Sequence, residues 1–234
     1  MKPRKSKVRA ESCNKPLNPE EVSLLKGNPH RHKPIKKFMD KPREMSERYF
    51  AFLEEAETAD LSVDSMIRKL KHMIDADPDF LDPYLYLAEL YYEDKKSYLY
   101  ANIIYDAYLR AVNMVADKSG NYPKELPWGW IENRHIVRTL SNFALLQWEQ
   151  GDVRLALEIY RKLLASHIND NIGARYAILA LRLGYNPDYE ALFLPDTEPA
   201  IDLDVVKSMK WFDRHSKQFP EEFATFNDYA KSSE

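Results

Sequence analysis

The chain has 234 residues, 44% of them hydrophobic, with a single cysteine and a formal net charge of −3. This hydrophobic content suffices to bury a sizeable core. The sequence has no run of about 18 apolar residues, which a transmembrane helix needs, and its opening residues lack the apolar stretch of a secretory signal. The lone Cys13 excludes an intrachain disulfide framework and fits a reducing compartment, so we expect a cytoplasmic protein. Because the apolar run is missing, we expect no membrane partner.

The first 44 residues differ in composition from the rest. Between Met1 and Arg43 there are thirteen Lys and Arg, four Asp and Glu, and six prolines. Because the whole chain carries −3, the remainder carries a net charge of −12. So few apolar side chains cannot offset the entropy of ordering, and residues 1–44 are therefore predicted to form a disordered basic arm. The arm could bind nucleic acid or a ribosomal surface, or its opening KPRKSKVR could direct nuclear import; alternatively it is only a solubilising tail, or folds back on the acidic body.

Two stretches that follow the arm each predict a pair of amphipathic helices joined by a turn. The first hairpin runs from Glu47 to Phe80 with a turn near Leu61 and Ser62, and the second from Leu81 to about Val115. Apolar residues recur every three or four positions, which gives each helix one face to bury. The predicted buried positions are Phe50, Leu53, Met66, Leu70 and Met73 in the first hairpin, and Tyr84, Leu87, Ala88, Tyr91, Ala101, Tyr105 and Tyr108 in the second.

The segment from Ala116 to His135 interrupts this pattern with two prolines, two glycines and two tryptophans. The tryptophans are predicted to fill the gap that the inserted loop creates. Glu132 and Asn133 suit the start of a helix, where they can accept from exposed backbone N–H groups. Arg134 and Arg138 lie one turn apart and form a cationic stripe. This stripe is either a receptor for a carboxylate or phosphate, or one of its arginines pairs with an acidic residue of a neighbouring hairpin.

The clearest hairpin runs from Val137 to Asp170. Ala144 and Ala156 are small where two antiparallel helices must approach closely, and the ring of Tyr160 would fill the space beyond them. Gly151 stands between the two helices and predicts the turn. Downstream, one more helix is predicted from Gly173 to Leu183, and its end is marked by Gly184 and Pro187.

The spacing within Val137 to Asp170 resembles the tetratricopeptide repeat family, whose unit is a 34-residue helix-turn-helix. Gln147 and Ile168 stand where the family usually has a tyrosine and a proline. The WG-x-x-ENR stretch is also similar to one in tetratricopeptide-containing proteins of the suppression of tumorigenicity 7 kind. The resemblance implies an all-α array of about three helical hairpins over residues 45–185.

Residues 186–234 are predicted to form an irregular segment followed by an amphipathic helix from about Leu203 to Phe219. Repeat arrays need a terminal element that covers the last apolar face, so this helix is expected to cap the array. The alternative is that the helix occupies the concave groove until a partner displaces it.

In tetratricopeptide arrays the first helix of each hairpin lines the concave surface, and the resemblance therefore implies which residues meet a ligand. Asn142 is expected to hydrogen-bond the backbone of an extended peptide, while Arg138 and Arg175 add charge-assisted contacts. Leu85, Ser141 and Leu179 are expected on the same surface. The full set of predicted partner-binding residues is Tyr86, Glu89, Arg134, Arg138, Asn142, Leu145, Arg175 and Tyr176.

Nothing in the sequence indicates catalysis. The six histidines are dispersed, and there is no Gly-rich phosphate loop, HExxH or GxSxG motif, so we expect no enzyme activity, no cofactor and no metal. The predicted function is a protein-protein interaction adaptor or scaffold that binds a protein or peptide in its groove. The alternative is an RNA- or ribosome-associated factor that uses the basic arm, and self-association through a repeat face is a third option.

Overall fold

The computed structural model describes residues 15–59, 61–94, 97–195 and 203–232. Within these ranges every regular element is a helix, and extended backbone pairs only at an isolated parallel bridge between Lys37 and Glu125. The all-α prediction is therefore confirmed for the described chain. Among the described helices, none has the length and apolar character that crossing a bilayer requires.

The helices are α1 Pro19–Leu24, α2 Glu44–Thr58, α3 Val63–Ala76, α4 Asp82–Glu93, α5 Ser97–Val115, α6 Arg134–Glu149, α7 Val153–Ser166, α8 Ala174–Leu183, α9 Val205–His215 and α10 Pro220–Ser232, with short 3-10 helices at Ile131–Asn133, Pro187–Phe193 and Ser216–Gln218.

Short turns with local caps separate most consecutive helices. The side chain of Ser62 accepts a hydrogen bond from the backbone N–H of Ser65 at 3.3 Å and so begins α3, within the turn that the sequence predicts. Asp152 begins α7 in the same way, accepting from the N–H of Leu155 at 3.1 Å. Helices that are joined by such short turns and pack on each other run antiparallel. The strongest such packing joins α4 with α5, α7 with α8, and α3 with α4.

The described chain forms two compact units. Unit A contains residues 22–143, and unit B contains residues 15–21, 144–195 and 203–232. The division follows contacts and falls inside α6, whereas the sequence-based division into residues 1–44, 45–185 and 186–234 follows composition and helical pattern.

Unit A has a core built from α2, α3 and α4. Its buried cluster is completed by the aromatic rings of Tyr49 and Phe80, whose centroids lie 5.8 Å apart, edge to face. The prediction that Phe50 lies in the core is wrong, because its side chain is 54% exposed. The buried face of α2 passes through Met45, Tyr49 and Phe52, which leaves Phe50 turned about 100° away from it.

The buried stripe of α5 also differs from the prediction. Tyr108 is buried and stacks on Phe143 with ring centroids 3.7 Å apart, as a core residue should. Tyr105 is instead 39% exposed and Ala101 is only half-buried. The stripe begins at Ile104, so the helix is rotated relative to the predicted face. It continues through Ala107, Tyr108, Ala111, Val112 and Val115.

The burial of three residues in unit B agrees with the predicted helix crossing. Ala144 and Ala156 are fully buried and Tyr160 is 5% exposed, consistent with two small residues where α6 and α7 approach and a ring beyond them. Gly151 has a backbone φ of +88°, a left-handed conformation that closes the turn between these helices.

Replacing Gly151 with alanine is expected to lower the free energy of unfolding by about 1 kcal/mol, because an L side chain is strained at this φ. A Cβ at Gly151 would meet nothing within 4 Å, so steric clash does not contribute. Gly129→Ala is the matched control, since a Cβ there also meets nothing within 4 Å and its φ is ordinary. Urea titration of both variants tests this, and equal stability of the two would contradict the backbone argument.

Two C-terminal helices pack on α7 and α8 in unit B. α9 corresponds to the helix predicted from Leu203 to Phe219, although it ends at His215 and a 3-10 turn follows. Phe212 of α9 meets the ring of Tyr176 on α8 at 5.5 Å, edge to face. α10 is not predicted by the sequence pattern, because Phe223 is the one buried residue of this helix and a single buried position produces no periodic signal.

Residues 27–43 form an ordered segment, here called the strap, that lies along the loop between α5 and α6. The N–H of Gly27 donates to the carbonyl of Asp117 at 3.1 Å, and a Cβ on Gly27 would stand 2.5 Å from the Cβ of Ala116, so only glycine allows this approach. Further along, the N–H of Phe38 donates to the carbonyl of Glu125 at 2.9 Å.

The prediction of a disordered arm is therefore wrong for the described part of residues 1–44. Its composition misled because the strap is held by hydrogen bonds to a distant loop instead of by apolar burial of its own. In unit B, Glu21 of α1 is also fixed, by Arg154 at 2.7 Å. Residues 1–14, with Cys13 and the KPRKSKVR stretch, lie outside the described ranges.

Candidate partner-binding site

The N-terminal ends of α2, α4 and α6 lie around one pocket in unit A. α6 is introduced by the 3-10 helix Ile131–Asn133, which continues directly into Arg134. The inserted loop thus ends in a helical turn whose side chains are aimed at the strap and at α4.

Asn133 joins the inserted loop to the strap. Its side chain is fully buried; its Oδ1 accepts from the N–H of Asp40 at 2.9 Å, and its Nδ2 donates to the carbonyls of Phe38 at 3.0 Å and Pro127 at 3.2 Å. The predicted helix-capping role of Asn133 is therefore wrong, because its amide is used by the strap. Trp130 adds a fourth bond, from its indole N–H to the carbonyl of Asp40 at 2.9 Å.

The carboxylate of Asp40 is the polar centre of this junction. It receives Arg43 Nε at 2.7 Å and faces His135 Nε2 at 3.1 Å. The Nδ1 of His135 accepts from the N–H of Leu81 at 3.1 Å, which fixes the tautomer with its proton on Nε2, directed at Asp40. Arg43 continues to Asp77 at 2.7 Å. Strap, α2, α4 and α6 are thereby linked through a single buried group.

Burial alone would raise the pKa of Asp40, but the hydrogen bonds from His135 and Arg43, together with the charge of Arg43, outweigh it and lower the pKa below its ordinary value. Asp40 is therefore ionised at neutral pH. The carboxylate also supplies the negative charge that keeps Arg43 compensated beside the pocket.

The pocket has a volume of about 210 Å³. Apolar side chains stand at its rim, with Phe50 54% and Ile131 62% exposed. Charged side chains of both signs line its walls. The lining residues are Arg43, Ser46, Phe50, Phe80, Asp82, Ile131, Glu132, Arg134, His135 and Arg138.

The two predicted arginines of the stripe differ in their partners. Arg138 makes a forked pair with Asp82 of α4, with Nη2 2.7 Å from Oδ1 and 2.6 Å from Oδ2. The alternative in which a stripe arginine pairs with an acid of a neighbouring hairpin is thus the one observed for Arg138. Arg134 has no carboxylate partner within the described ranges; its Nε donates to the carbonyl of Trp128 at 3.1 Å, and its guanidinium lies 5.2 Å from the Trp128 ring. Trp128 therefore supports both arginines, since Arg138 is 6.0 Å from the same ring.

The other predicted residues of unit A do not line the pocket. Tyr86 packs edge-on against Phe52 with centroids 5.6 Å apart and is half-buried, while Glu89 is exposed. Asn142 is half-buried and its Nδ2 donates to the carbonyl of Arg138 at 3.0 Å, one turn earlier in α6. The donor of the Asn142 amide, expected to bind a peptide backbone, is thus used within the helix.

Three predicted residues belong to unit B. Leu145 is half-buried on α6. Arg175 donates to Asp170 at 2.8 Å and lies 4.3 Å from the ring of Tyr176, so both of these side chains are engaged within unit B. Leu179, also expected on the binding surface, is fully buried.

Burial raises the pKa of Asp170, and Arg175 and the backbone N–H groups of α8 oppose this shift. Asp170 has a φ of +50° and its carboxylate caps α8, accepting from the N–H of Ala174 at 2.6 Å. Arg175 is therefore a partner of the residue that caps α8.

The acidic and apolar residues of the pocket were not among the residues predicted from the sequence. Asp82 carried a signal in its position, because it is the first residue of α4, and Arg138 lies in the second turn of α6. Ile131 carried a weaker signal, because it is an apolar residue shortly before the start of a helix. The spacing of Phe50 was misleading, because it predicted a buried residue of the core.

Comparison of the chain with protein-family models, curated proteins and solved structures finds no match. Within the described ranges, no group of three or more His, Cys, Asp or Glu side chains is placed to hold a metal ion.

Proposed function

We propose that this chain is a protein-interaction adaptor, and that the pocket at the starts of α2, α4 and α6 binds a short segment of a partner protein. The segment carries one carboxylate and one apolar side chain. The observation that carries the proposal is Arg134, fixed on Trp128 without a carboxylate of its own in the described chain, beside the exposed Phe50 and Ile131.

The size of the pocket favours a side chain over a small-molecule substrate. Sites for drug-sized ligands usually enclose about 300–1,000 Å³. A cavity of about 210 Å³ has room for one anchoring side chain. Exposed Phe50 and Ile131 would then pack on the anchor, in the way that a few apolar residues dominate protein interfaces.

Charge selects the class of ligand further. Asp82 compensates Arg138, and Glu132 adds a second carboxylate to the walls. A polyanion would meet these carboxylates, whereas a single carboxylate can approach Arg134 alone. The Nε of Arg134 is bonded to the carbonyl of Trp128 and its guanidinium lies by the Trp128 ring, so a forked contact with an incoming carboxylate would use its two terminal nitrogens.

The tetratricopeptide-like organisation is part of this proposal. The pocket is lined by α2, α4 and α6, the first helices of the three hairpins predicted from the sequence, and in that family first helices meet the ligand. The proposal also includes a cytoplasmic location and a role in binding that needs no catalysis, cofactor or metal.

The RNA- or ribosome-associated alternative is supported by the lysines of the strap. Lys33, Lys36 and Lys41 are exposed, and backbone bonds hold the strap against the loop that carries Lys118 and Lys124, also exposed. This surface is favoured less, because the one aromatic residue between these strap lysines, Phe38, is half-buried, whereas bases stack on exposed rings.

Selection of a phage-displayed random peptide library on the full chain tests the proposal. We expect enriched peptides with an acidic residue near a large apolar one, and fluorescence anisotropy should show at least tenfold weaker binding of such a peptide by Arg134→Ala and by Phe50→Ala. Arg68→Ala and Tyr98→Ala are matched controls, since both side chains are exposed on α3 and α5 away from the pocket.

Equal losses in the controls, or no enriched peptide, would contradict the proposal. A labelled oligouridylate serves as the probe for the alternative. If it binds with a salt slope of about 0.7 per phosphate contacted and loses affinity in a Lys33→Ala, Lys36→Ala, Lys124→Ala variant, the basic strap is the functional surface instead.

A further inference from the structure

α10 contributes few buried side chains to its contact with the rest of unit B. Phe223 is the one buried residue of α10, whereas α7, of similar length, buries nine. Apolar burial is the main force that holds helices in place, so α10 gains little stabilisation from this source. Polar contacts must therefore account for much of its attachment.

Those polar contacts centre on Glu222. Its side chain is 5% exposed, and its carboxylate lies between Arg161 of α7 and Arg182 of α8. Arg161 Nε donates to Oε2 at 2.8 Å, and Arg182 Nη1 donates to Oε1 at 2.5 Å. Glu221 adds a longer contact to Arg182 at 3.4 Å. Charge-assisted bonds of this kind to two arginines specify an acidic residue at this position.

Aromatic rings flank the carboxylate contacts. Phe226 of α10 lies 4.9 Å from the guanidinium of Arg175, and Phe219, just before α10, lies 4.6 Å from that of Arg182. The face formed by α7 and α8 thus presents three arginines, each opposite an acidic or aromatic side chain of the segment 219–226.

The fit between α10 and this face is incomplete. A cavity of about 480 Å³, partly open to solvent, remains beside the helix. It is lined by Arg161, Leu164, Ala165, Ile168, Ile178, Arg182, Glu221, Glu222, Thr225 and Phe226.

We infer that the α7–α8 face is a second interaction site, a receptor for acidic segments that carry aromatic residues, and that α10 occupies it as an internal ligand. A partner segment with the same chemistry displaces α10 and fills the cavity more completely. This inference goes beyond the pocket in unit A and does not depend on it.

A peptide competition on the full chain tests the inference. The probe is a fluorescein-labelled synthetic peptide with the sequence of residues 218–232. Glu222→Gln keeps the shape of the internal ligand and removes its charge, so we expect this variant to bind the probe at least tenfold more tightly than the unchanged chain does. A control peptide with both glutamates replaced by glutamine should not bind.

Charge reversal distinguishes a specific site from adhesion to an exposed face. Adding Arg161→Glu to Glu222→Gln should abolish binding of the probe, and a peptide with lysine at position 222 should restore it. Arg134→Ala, in unit A, should leave the binding of the probe unchanged, so failure here is distinct from failure of the proposed function.

Hydrogen exchange shows whether α10 has left the face. In Glu222→Gln we expect faster exchange in α10 and unchanged exchange in α7 and α8. Three results would overturn the inference: an exposed α10 without tighter probe binding, an α10 that stays protected, or a joint loss of protection in α7, α8 and α10, which would make α10 part of the core.

Discussion

Asn133→Ala is expected to lower the free energy of unfolding of unit A by about 3–5 kcal/mol. The side chain of Asn133 satisfies three backbone groups, those of Asp40, Phe38 and Pro127, and a buried polar group that loses its partner costs about 1–3 kcal/mol. Urea titration followed by tryptophan fluorescence measures this, and hydrogen exchange should show the strap released first.

Asn142→Ala is the matched control for Asn133→Ala. Asn142 is half-buried and makes one bond, to the carbonyl of Arg138, so we expect a loss of about 1 kcal/mol or less. Similar losses in the two variants would show that the contacts between the inserted loop and the strap add no stability beyond an ordinary side-chain bond.

Asp40→Asn is expected to cost about 3–5 kcal/mol at pH 7, because it removes the charge that compensates buried Arg43 and places an amide opposite two donors. The effect depends on pH. Since the pKa of Asp40 in the folded chain lies below its ordinary 3.8, ionised Asp40 stabilises the fold fully above that value, and the stabilisation is lost as the pH falls through the folded pKa.

The stability difference between the unchanged chain and Asp40→Asn should therefore be constant from pH 7 to about 5 and shrink below about pH 4. Asp79→Asn is the control, because Asp79 is exposed and stands 3.9 Å from Arg110, a pair worth about 0.5 kcal/mol or less. A difference that grows towards acid pH would mean that Asp40 is not held in its charged form.

Local pattern predicted the helices well because their causes are local. Gly151, the cap at Asp152 and the paired Ala144 and Ala156 all act within one hairpin, so spacing alone was informative. The buried faces of the helices were predicted less well. On α2 an error of one position placed Phe50 in the core, since adjacent residues on a helix differ by about 100° in direction.

The strap could not be predicted from its composition. Its order depends on Asn133, which lies 93 residues from Asp40, and no pattern within either segment marks that pairing. The site shows the same limit: Arg134 and Arg138 were identified from the helix they share, whereas the partner Asp82 lies 56 residues from Arg138 and decides which arginine remains available.

The bonds of Asn133 to the strap also constrain the order of folding. Hairpins close between neighbours in the chain, but the strap can dock only after a loop of 93 residues has closed and the inserted segment is in place. We therefore expect these contacts to be weak in the folding transition state and complete only in the native state. Their stabilisation should then act mainly on the unfolding rate, so we expect the Asn133 bonds to lengthen the lifetime of folded unit A more than they speed its formation.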